Sequence, residues 1–422
     1  MTPNVTHLRC VICGAEYQPG DVAYVCPRHG DDGILDVVYD YEAIASTVDR
    51  DTVDESPDPT MWRYRPLLPV DPDTPVPPLR VGGTPLYESL RLADRIGVSE
   101  MWVKDEGVQP TGSLKDRASA MAIVKADEAG AAKVATASTG NAAAALAGLA
   151  ASVGRESVIF VPASAPEAKV AQLLAYGATV LLVDGSYDDA FELCLRASDT
   201  FGWYNRNTGY NPYMSEGKKT VAYEIAEDLG WQVPDVVVVP VGDGCIIGGV
   251  AKGFRDLLAL EWIDRMPRLI GAQAEGSAFL TEAWERGEDV LTKPPIEAST
   301  VADSVSAGLP RDRIKAMRAV RDSDGAFVAV PDEAILEAIP ALAATTGVFP
   351  EPAAATALAG LVAAREAGHV EPGDRVVIIS TGTGLKDVPS VRRGVEATGV
   401  EPVRVPADID AVEETILRLE AE

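Results

Sequence analysis

Lys115 stands in the run Pro110-Thr-Gly-Ser-Leu-Lys115-Asp-Arg117, where a Pro/Gly break precedes an alanine-rich helical stretch. The spacing puts one amine at the opening of a helix, with Ser113 available as its cap. The partial positive charge of a helix N-terminus, with Arg117 close by, disfavours the ammonium form. A fixed, neutral amine is what imine chemistry with a carbonyl cofactor requires. The plain alternative is a solvated lysine in a first helical turn.

Two further segments offer anion sites. Ala137-Ser-Thr-Gly-Asn141 follows an apolar run and opens an alanine-rich helix. The free N–H groups of that helix start, with the Ser138 and Thr139 hydroxyls, suit the α-carboxylate of an amino acid. Gly242-Asp243-Gly244-Cys245-Ile246 follows a run of valines. Its glycines let backbone N–H groups converge on a phosphate without side-chain clash. The segment lacks the Gly-Lys-Ser/Thr ending of a triphosphate-binding loop. It also misses the dinucleotide fingerprint, because Gly248 comes one residue late. At the N-terminus Cys10, Cys13, Cys26 and His29 form a C-x2-C-x12-C-x2-H pattern. Two such knuckles make the closed tetrahedral set of a structural zinc; the alternative is four unrelated residues. Cys194 and Cys245 are single, and Cys194 reads as a buried helix position.

The elements that must hold these residues are legible as alternating runs. Apolar stretches at 133–138, 157–161, 179–183, 236–241, 269–274 and 375–380 are separated by alanine-rich helical stretches. That pattern predicts parallel sheet covered by helices on both faces, an α/β enzyme. A chain of 422 residues allows two or three domains. Residues 51–60 read as a linker and 67–86 as irregular wrapping chain. The formal charge of −27, from 64 acidic and 37 basic residues, disfavours nucleic acid and anionic membranes as partners. The start has no apolar signal core and no run is long enough to span a bilayer, so the expected location is the cytoplasm. The three histidines, His7, His29 and His369, lie in no nucleophile context, which argues against a histidine-dependent hydrolase.

The Lys115 segment resembles the pyridoxal-phosphate lysine motif of fold-type II enzymes, and of threonine synthases in particular. The resemblance continues through Asn211-Pro-Tyr-Met214-Ser-Glu216-Gly-Lys-Lys219-Thr220, Thr300-Val-Ala-Asp-Ser304, Gly347-Val-Phe-Pro-Glu-Pro352 and Thr381-Gly-Thr-Gly-Leu-Lys-Asp387. Trp62-Arg63-Tyr-Arg65-Pro ahead of Gly83-Thr84-Pro85-Leu86 is similar too, so the match covers about residues 62 to 390. It implies a two-lobed enzyme and a homodimer that binds a small amino-acid substrate. Residues 36–118 and 209–395 would form the large cofactor lobe and 119–208 the smaller one. Residues 1–35 would be a zinc-ribbon-like segment, as many members carry, and 396–422 a C-terminal extension. It implies that Lys115 holds the cofactor and acts as base, that Asn141 contacts its 3-oxygen, and that residues 242–246 hold its phosphate. Thr381 would face the ring nitrogen. A neutral hydroxyl there favours elimination and replacement over transamination.

The implied reaction is conversion of O-phospho-L-homoserine and water to L-threonine and phosphate. The implied rivals are β-replacement on O-phosphoserine, as in cysteate synthases, and dehydration of serine or threonine. Three positions depart from the family pattern, Cys245 in the phosphate loop among them. Asp243 replaces the usual Asn, and is expected to point away from the phosphate or cap its own loop. Met214 replaces an Arg that grips the substrate's phosphate, a loss of about 1.5–3 kcal/mol per charged hydrogen bond. Lys104, Arg206, Lys218 and Lys219 are the candidates to replace it; Lys104 and Lys218 join Ser138 and Thr139 as expected substrate contacts.

Overall fold

The computed structural model describes residues 4–165 and 167–421. Strands β1 (Val5–Cys10), β2 (Glu16–Tyr17) and β3 (Leu35–Tyr39) form a small antiparallel sheet with β1 in the middle. Next come β4 (Leu86–Glu88), β5 (Glu100–Asp105), β6 (Lys133–Ala137), β7 (Glu156–Pro162), β8 (Thr179–Val183) and β9 (Tyr204–Asn205). The last four are β10 (Val236–Pro240), β11 (Arg268–Ala274), β12 (Ala326–Val330) and β13 (Arg375–Ser380). One six-stranded sheet has the order β12-β11-β10-β13-β5-β4, and one four-stranded sheet the order β8-β7-β6-β9. Every pairing in the two larger sheets is parallel except β4 with β5.

The valine run of β10 shows why this sheet sits between two layers. Val237 and Val239 enter one apolar cluster and Val236 and Val238 the other, as the two-residue strand period requires. Helix Pro352–Glu366 lies on the second face, and its small residues let it approach closely. A Cβ on Gly360 would fall 2.3 Å from that of Ala272 in β11. On the first face helix Cys245–Ala259 packs Phe254 and Leu257 into the cluster that also takes Leu8, Leu35 and Val37. The N-terminal sheet is thus fastened behind that helix. Lys252 Nζ donates to the Val37 carbonyl at 2.6 Å and pairs with Asp36 at 2.8 Å.

The six expected apolar runs fall on β6, β7, β8, β10, β11 and β13. The stretch expected to be a linker instead contains a short helix, Arg50–Asp54, because Val53 is buried in the core. Among the described residues no helix is long and apolar enough to cross a membrane.

Candidate active site

The chemistry-bearing segments all follow the C-terminal ends of parallel strands, where an open α/β sheet leaves its crevice. Lys115 is the first residue of helix Lys115–Glu128. Ser113 does not cap that helix, and its buried hydroxyl has no hydrogen-bond partner among the described residues. The loop is held by backbone instead. Leu114 N–H donates to the Thr381 carbonyl at 2.9 Å, and Thr383 N–H donates to the Gly112 carbonyl at 3.1 Å. Those bonds stitch the lysine loop to the loop after β13 and bring Lys115 and Thr381 to one cavity.

The end of β6 is fixed by Asn207, whose side-chain oxygen accepts from Ala137 N–H at 2.9 Å and Thr136 Oγ1 at 2.8 Å. Ser138, Thr139 and Asn141 follow, and helix Asn141–Ser152 starts without a side-chain cap. Asn141 Nδ2 donates to Glu351 Oε1 at 2.7 Å. Beyond β10, Gly244 has a φ of +87°, and a Cβ there would meet that of Ala316 at 2.8 Å. A Cβ on Gly242 would lie 2.8 Å from the Val305 Cα. Both positions therefore demand glycine. Helix Cys245–Ala259 also starts without a side-chain cap, so its first N–H groups are open to an anion.

These segments line a cavity of about 800 Å³ that takes in Lys115, Ser138, Thr139, Asn141, residues 242–247 and Thr381, with Arg206 and Lys218. Burial, then the charge of Lys218, lowers the Lys115 amine to about 8. Arg117 is not the cause. Its guanidinium is turned to the opposite side of the helix, where it bonds Glu106 and Glu224 at 2.7 Å each. Burial raises the Glu351 carboxyl to about 7, against the pull of Lys115. Sequence reasoning did not single Glu351 out as a site residue. Its signal was an acid placed directly before Pro352 at the opening of an alanine-rich helix.

Lys104 does not reach the cavity. It is fully buried, pairs with Glu224 at 3.1 Å and Asp228 at 2.9 Å, and donates to the Thr84 carbonyl. Met214 packs in the apolar cluster of Ala118 and Met121. Among the described residues Asp243 makes no side-chain hydrogen bond within its own loop. Its Oδ1 accepts from Arg311 N–H at 3.4 Å in a neighbouring loop, and burial raises its pKa. Cys245 Sγ lies 2.8 Å from Lys218 Nζ. Far from the cavity, ligand atoms of Cys10, Cys13 and His29 lie within 4.8 Å of one another, and Cys26 Sγ is 4.0 Å from Cys13 Sγ.

An aldehyde cofactor carrying a phosphate fits these residues. The cavity offers a deprotonable amine, an uncapped helix start over a glycine-only loop, and a hydroxyl at Thr381. The family model for pyridoxal-phosphate dependent enzymes matches residues 78–382. A threonine synthase of Methanosarcina acetivorans is 42% identical over 411 residues, covering 97% of this chain and 98% of that protein. The chain belongs to the threonine synthase family of pyridoxal-phosphate dependent enzymes. A second member, from Methanocaldococcus jannaschii, is 37% identical over 97% of this chain and 99% of its own. Among solved structures, the processed form of threonine deaminase isoform 2 from Solanum lycopersicum superposes with a TM-score of 0.63 over 75% of this chain and 88% of that one, at 24% identity. Maize serine racemase gives 0.61 over 75% and 94%, also at 24% identity. These likenesses show that this threonine synthase family member has the α/β fold of those two enzymes.

Proposed function

We propose that the protein converts O-phospho-L-homoserine and water to L-threonine and inorganic phosphate. One observation carries this reading: threonine synthases align with the chain from end to end. Pyridoxal phosphate, when bound, supplies an electron sink for the bond-breaking steps at the amino acid. Lys115 would hold its aldehyde carbon and then move protons at the substrate's carbons, for which an amine lowered to about 8 is suited. The uncapped N–H groups at residues 242–246 would take the cofactor's phosphate, with Asn141 on its 3-oxygen and Thr381 on its ring nitrogen. Ser138 and Thr139 would orient the substrate's carboxylate. The two larger sheets support a division into a lobe of residues 36–118 with 209–395 and a lobe of residues 119–208.

The test is product analysis. Purified protein loaded with cofactor should release phosphate and threonine in equal amounts from O-phosphohomoserine. A keto acid with ammonia from serine, or replacement chemistry on O-phosphoserine with no threonine from the first substrate, would overturn the assignment.

We also infer that Cys10, Cys13, Cys26 and His29 hold a structural zinc. Sulfurs bound at about 2.3 Å in a tetrahedral site lie a little under 4 Å apart, which matches the spacing of Cys13 and Cys26. Metal analysis should find zinc bound to the wild type and lost in Cys13→Ser, with a lowered melting temperature. Protein produced with zinc supplied that carries none would end this inference.

A further inference from the structure

Nearly every buried cation in this protein has an acid beside it. Lys104 and Arg117 share Glu224, and Lys219 sits 2.8 Å from Glu216 and 2.7 Å from Asp256. At the mouth of the cavity, Lys169 pairs with Asp303 and Arg311 with Asp188. Arg206 and Lys218 are different. Both are buried, at 1% and 0% exposure, and both line the cavity. Among the described residues neither forms an ion pair. Arg206 Nε donates to Ser119 Oγ at 3.1 Å and its Nη1 to Thr208 Oγ1 at 3.0 Å. Lys218 Nζ reaches the same Thr208 oxygen at 3.3 Å, so the two cations are neighbours. Arg206 Nη2 is buried and has no hydrogen-bond partner among the described residues. An uncompensated buried charge costs several kcal/mol, and two side by side with a spare donor call for an anion that the protein does not supply.

The position says which anion. Arg206 directly follows β9, and its N–H bonds the Ala135 carbonyl of β6, the strand that leads into Ser138 and Thr139. Its backbone is thus tied to the strand that carries the substrate-carboxylate loop, and its side chain bonds Ser119 and Thr208 rather than the cofactor loop. The cofactor's phosphate has its own seat at the start of helix Cys245–Ala259. Meanwhile Met214 is withdrawn into the core, and Lys104 and Lys219 are spent on carboxylates.

We propose that Arg206 and Lys218, joined through the Thr208 hydroxyl, seat the phosphate of the substrate in place of the guanidinium missing at position 214. The proposal rests on the threonine-forming reading for the identity of the substrate. Two cations match a phosphate monoester dianion, and the guanidinium can still offer Nη2 as a charge-assisted donor. Lys218 also borders the cofactor loop through Cys245, so Arg206 is the cleaner probe of the substrate's phosphate.

The experiment is calorimetric titration of the cofactor-loaded protein with inorganic phosphate. The panel is wild type, Arg206→Gln, Arg206→Lys, Lys218→Met and Thr208→Val. The dissociation constant for pyridoxal phosphate is measured for each by absorbance. Phosphate affinity should fall about tenfold or more in Arg206→Gln and Lys218→Met. It should fall less in Arg206→Lys and Thr208→Val, which keep both charges and guard against a folding defect in the harsher variants. Cofactor affinity should hold in the Arg206 variants. If cofactor affinity falls instead while phosphate uptake is unchanged, the pair serves the cofactor and the proposal is overturned. Absence of phosphate uptake by the wild type also overturns it. Wild type that takes up phosphate through this pair but makes no threonine leaves the seat standing and removes the substrate assignment. Threonine formation with KM unmoved in Arg206→Gln removes the seat alone.

Discussion

The two sides of helix Lys115–Glu128 solve the burial of charge in opposite ways. On one side Arg117 is enclosed by Glu106 and Glu224, with Thr84 and Thr220 hydroxyls completing its donors at 3.2 and 2.9 Å. Lys104 adds a second cation to Glu224. On the other side Lys115, Arg206 and Lys218 face one cavity, and among the described residues none of them forms an ion pair; Glu351 acts on Lys115, and Asp243 on Lys218, only at longer range. A neutralised network holds its charges regardless of ligand, and it anchors the helix that presents Lys115. An unneutralised cluster stores repulsion that a bound anion relieves. Burial depth is alike on both sides for Arg117 and Arg206. What separates structure from function here is the presence of counter-charge.

The largest effect expected from breaking this division is on the cavity side. Lys115→Ala should lower turnover by at least about 10³-fold and leave no cofactor that borohydride can fix to the protein. Cofactor still fixed in that variant, with the modified peptide mapped elsewhere, would reassign the amine. On the structural side, Glu224→Gln leaves Arg117 and Lys104 short of charge. It should cost about 3–5 kcal/mol of stability, read as a fall in melting temperature and denaturation midpoint. Arg206→Gln removes an unpaired buried charge and should leave stability unchanged or raise it. If both substitutions destabilised equally, Arg206 would have a counter-charge in solution and the contrast would collapse.

Much of this was readable before any coordinates. β10 and β13 are continuous Val/Ile runs, and a strand buried on both faces leaves that mark. β9 is two residues long and has no room for a pattern, so it was invisible, although it places Arg206. The lysine, carboxylate and phosphate loops were legible because each is a local turn chemistry written after a strand. What was not legible is which cation meets which acid. Lys104 finds Glu224 and Asp228 more than a hundred residues away, and that long-range choice alone removed it from the substrate contacts. The same holds for Ser113: Asp116 N–H turns to its backbone carbonyl at 3.1 Å rather than to its hydroxyl, and Leu114 N–H fastens the loop to the Thr381 carbonyl. Arg117 was taken as a neighbour that depresses Lys115, because sequence distance does not tell which face of the helix a guanidinium chooses.

The lowered amine gives a pH test of the cavity side. Protein stripped of cofactor should recombine with pyridoxal phosphate faster as pH rises through about 8, where Lys115 loses its proton, and then level off. An ordinary lysine would keep gaining well above that. Burial is the first cause and the like charge of Lys218 the second, with Arg206 adding to it. Arg206→Gln should therefore move the midpoint upward, whereas Glu224→Gln, on the neutralised side, should leave it in place. A midpoint that ignores Arg206 would mean that burial and Lys218 set the amine without it.

The smallest effect expected concerns Asp243, the acid within the phosphate loop itself. Its carboxyl is half-buried, accepts from Arg311 N–H, and is lifted above its ordinary value by desolvation, with Arg311 and Lys218 opposing the rise. Asparagine has nearly the same shape and keeps the acceptor, so Asp243→Asn isolates the charge. A carboxylate near a bound phosphate repels it. Its removal should tighten pyridoxal phosphate by less than about 1.4 kcal/mol, or tenfold. The sign with pH follows from the raised pKa. In acid the carboxyl is already neutral, and the two proteins should bind alike. As pH rises through the raised pKa the wild type gains a charge that the variant lacks, so the ratio of their dissociation constants should grow. A ratio that stays flat as pH rises through that raised pKa would mean that Lys218 and Arg311 already cancel this charge at the phosphate. In that case Asp243 would belong with the neutralised side of the molecule, and Lys218 would have less attraction left over for the substrate.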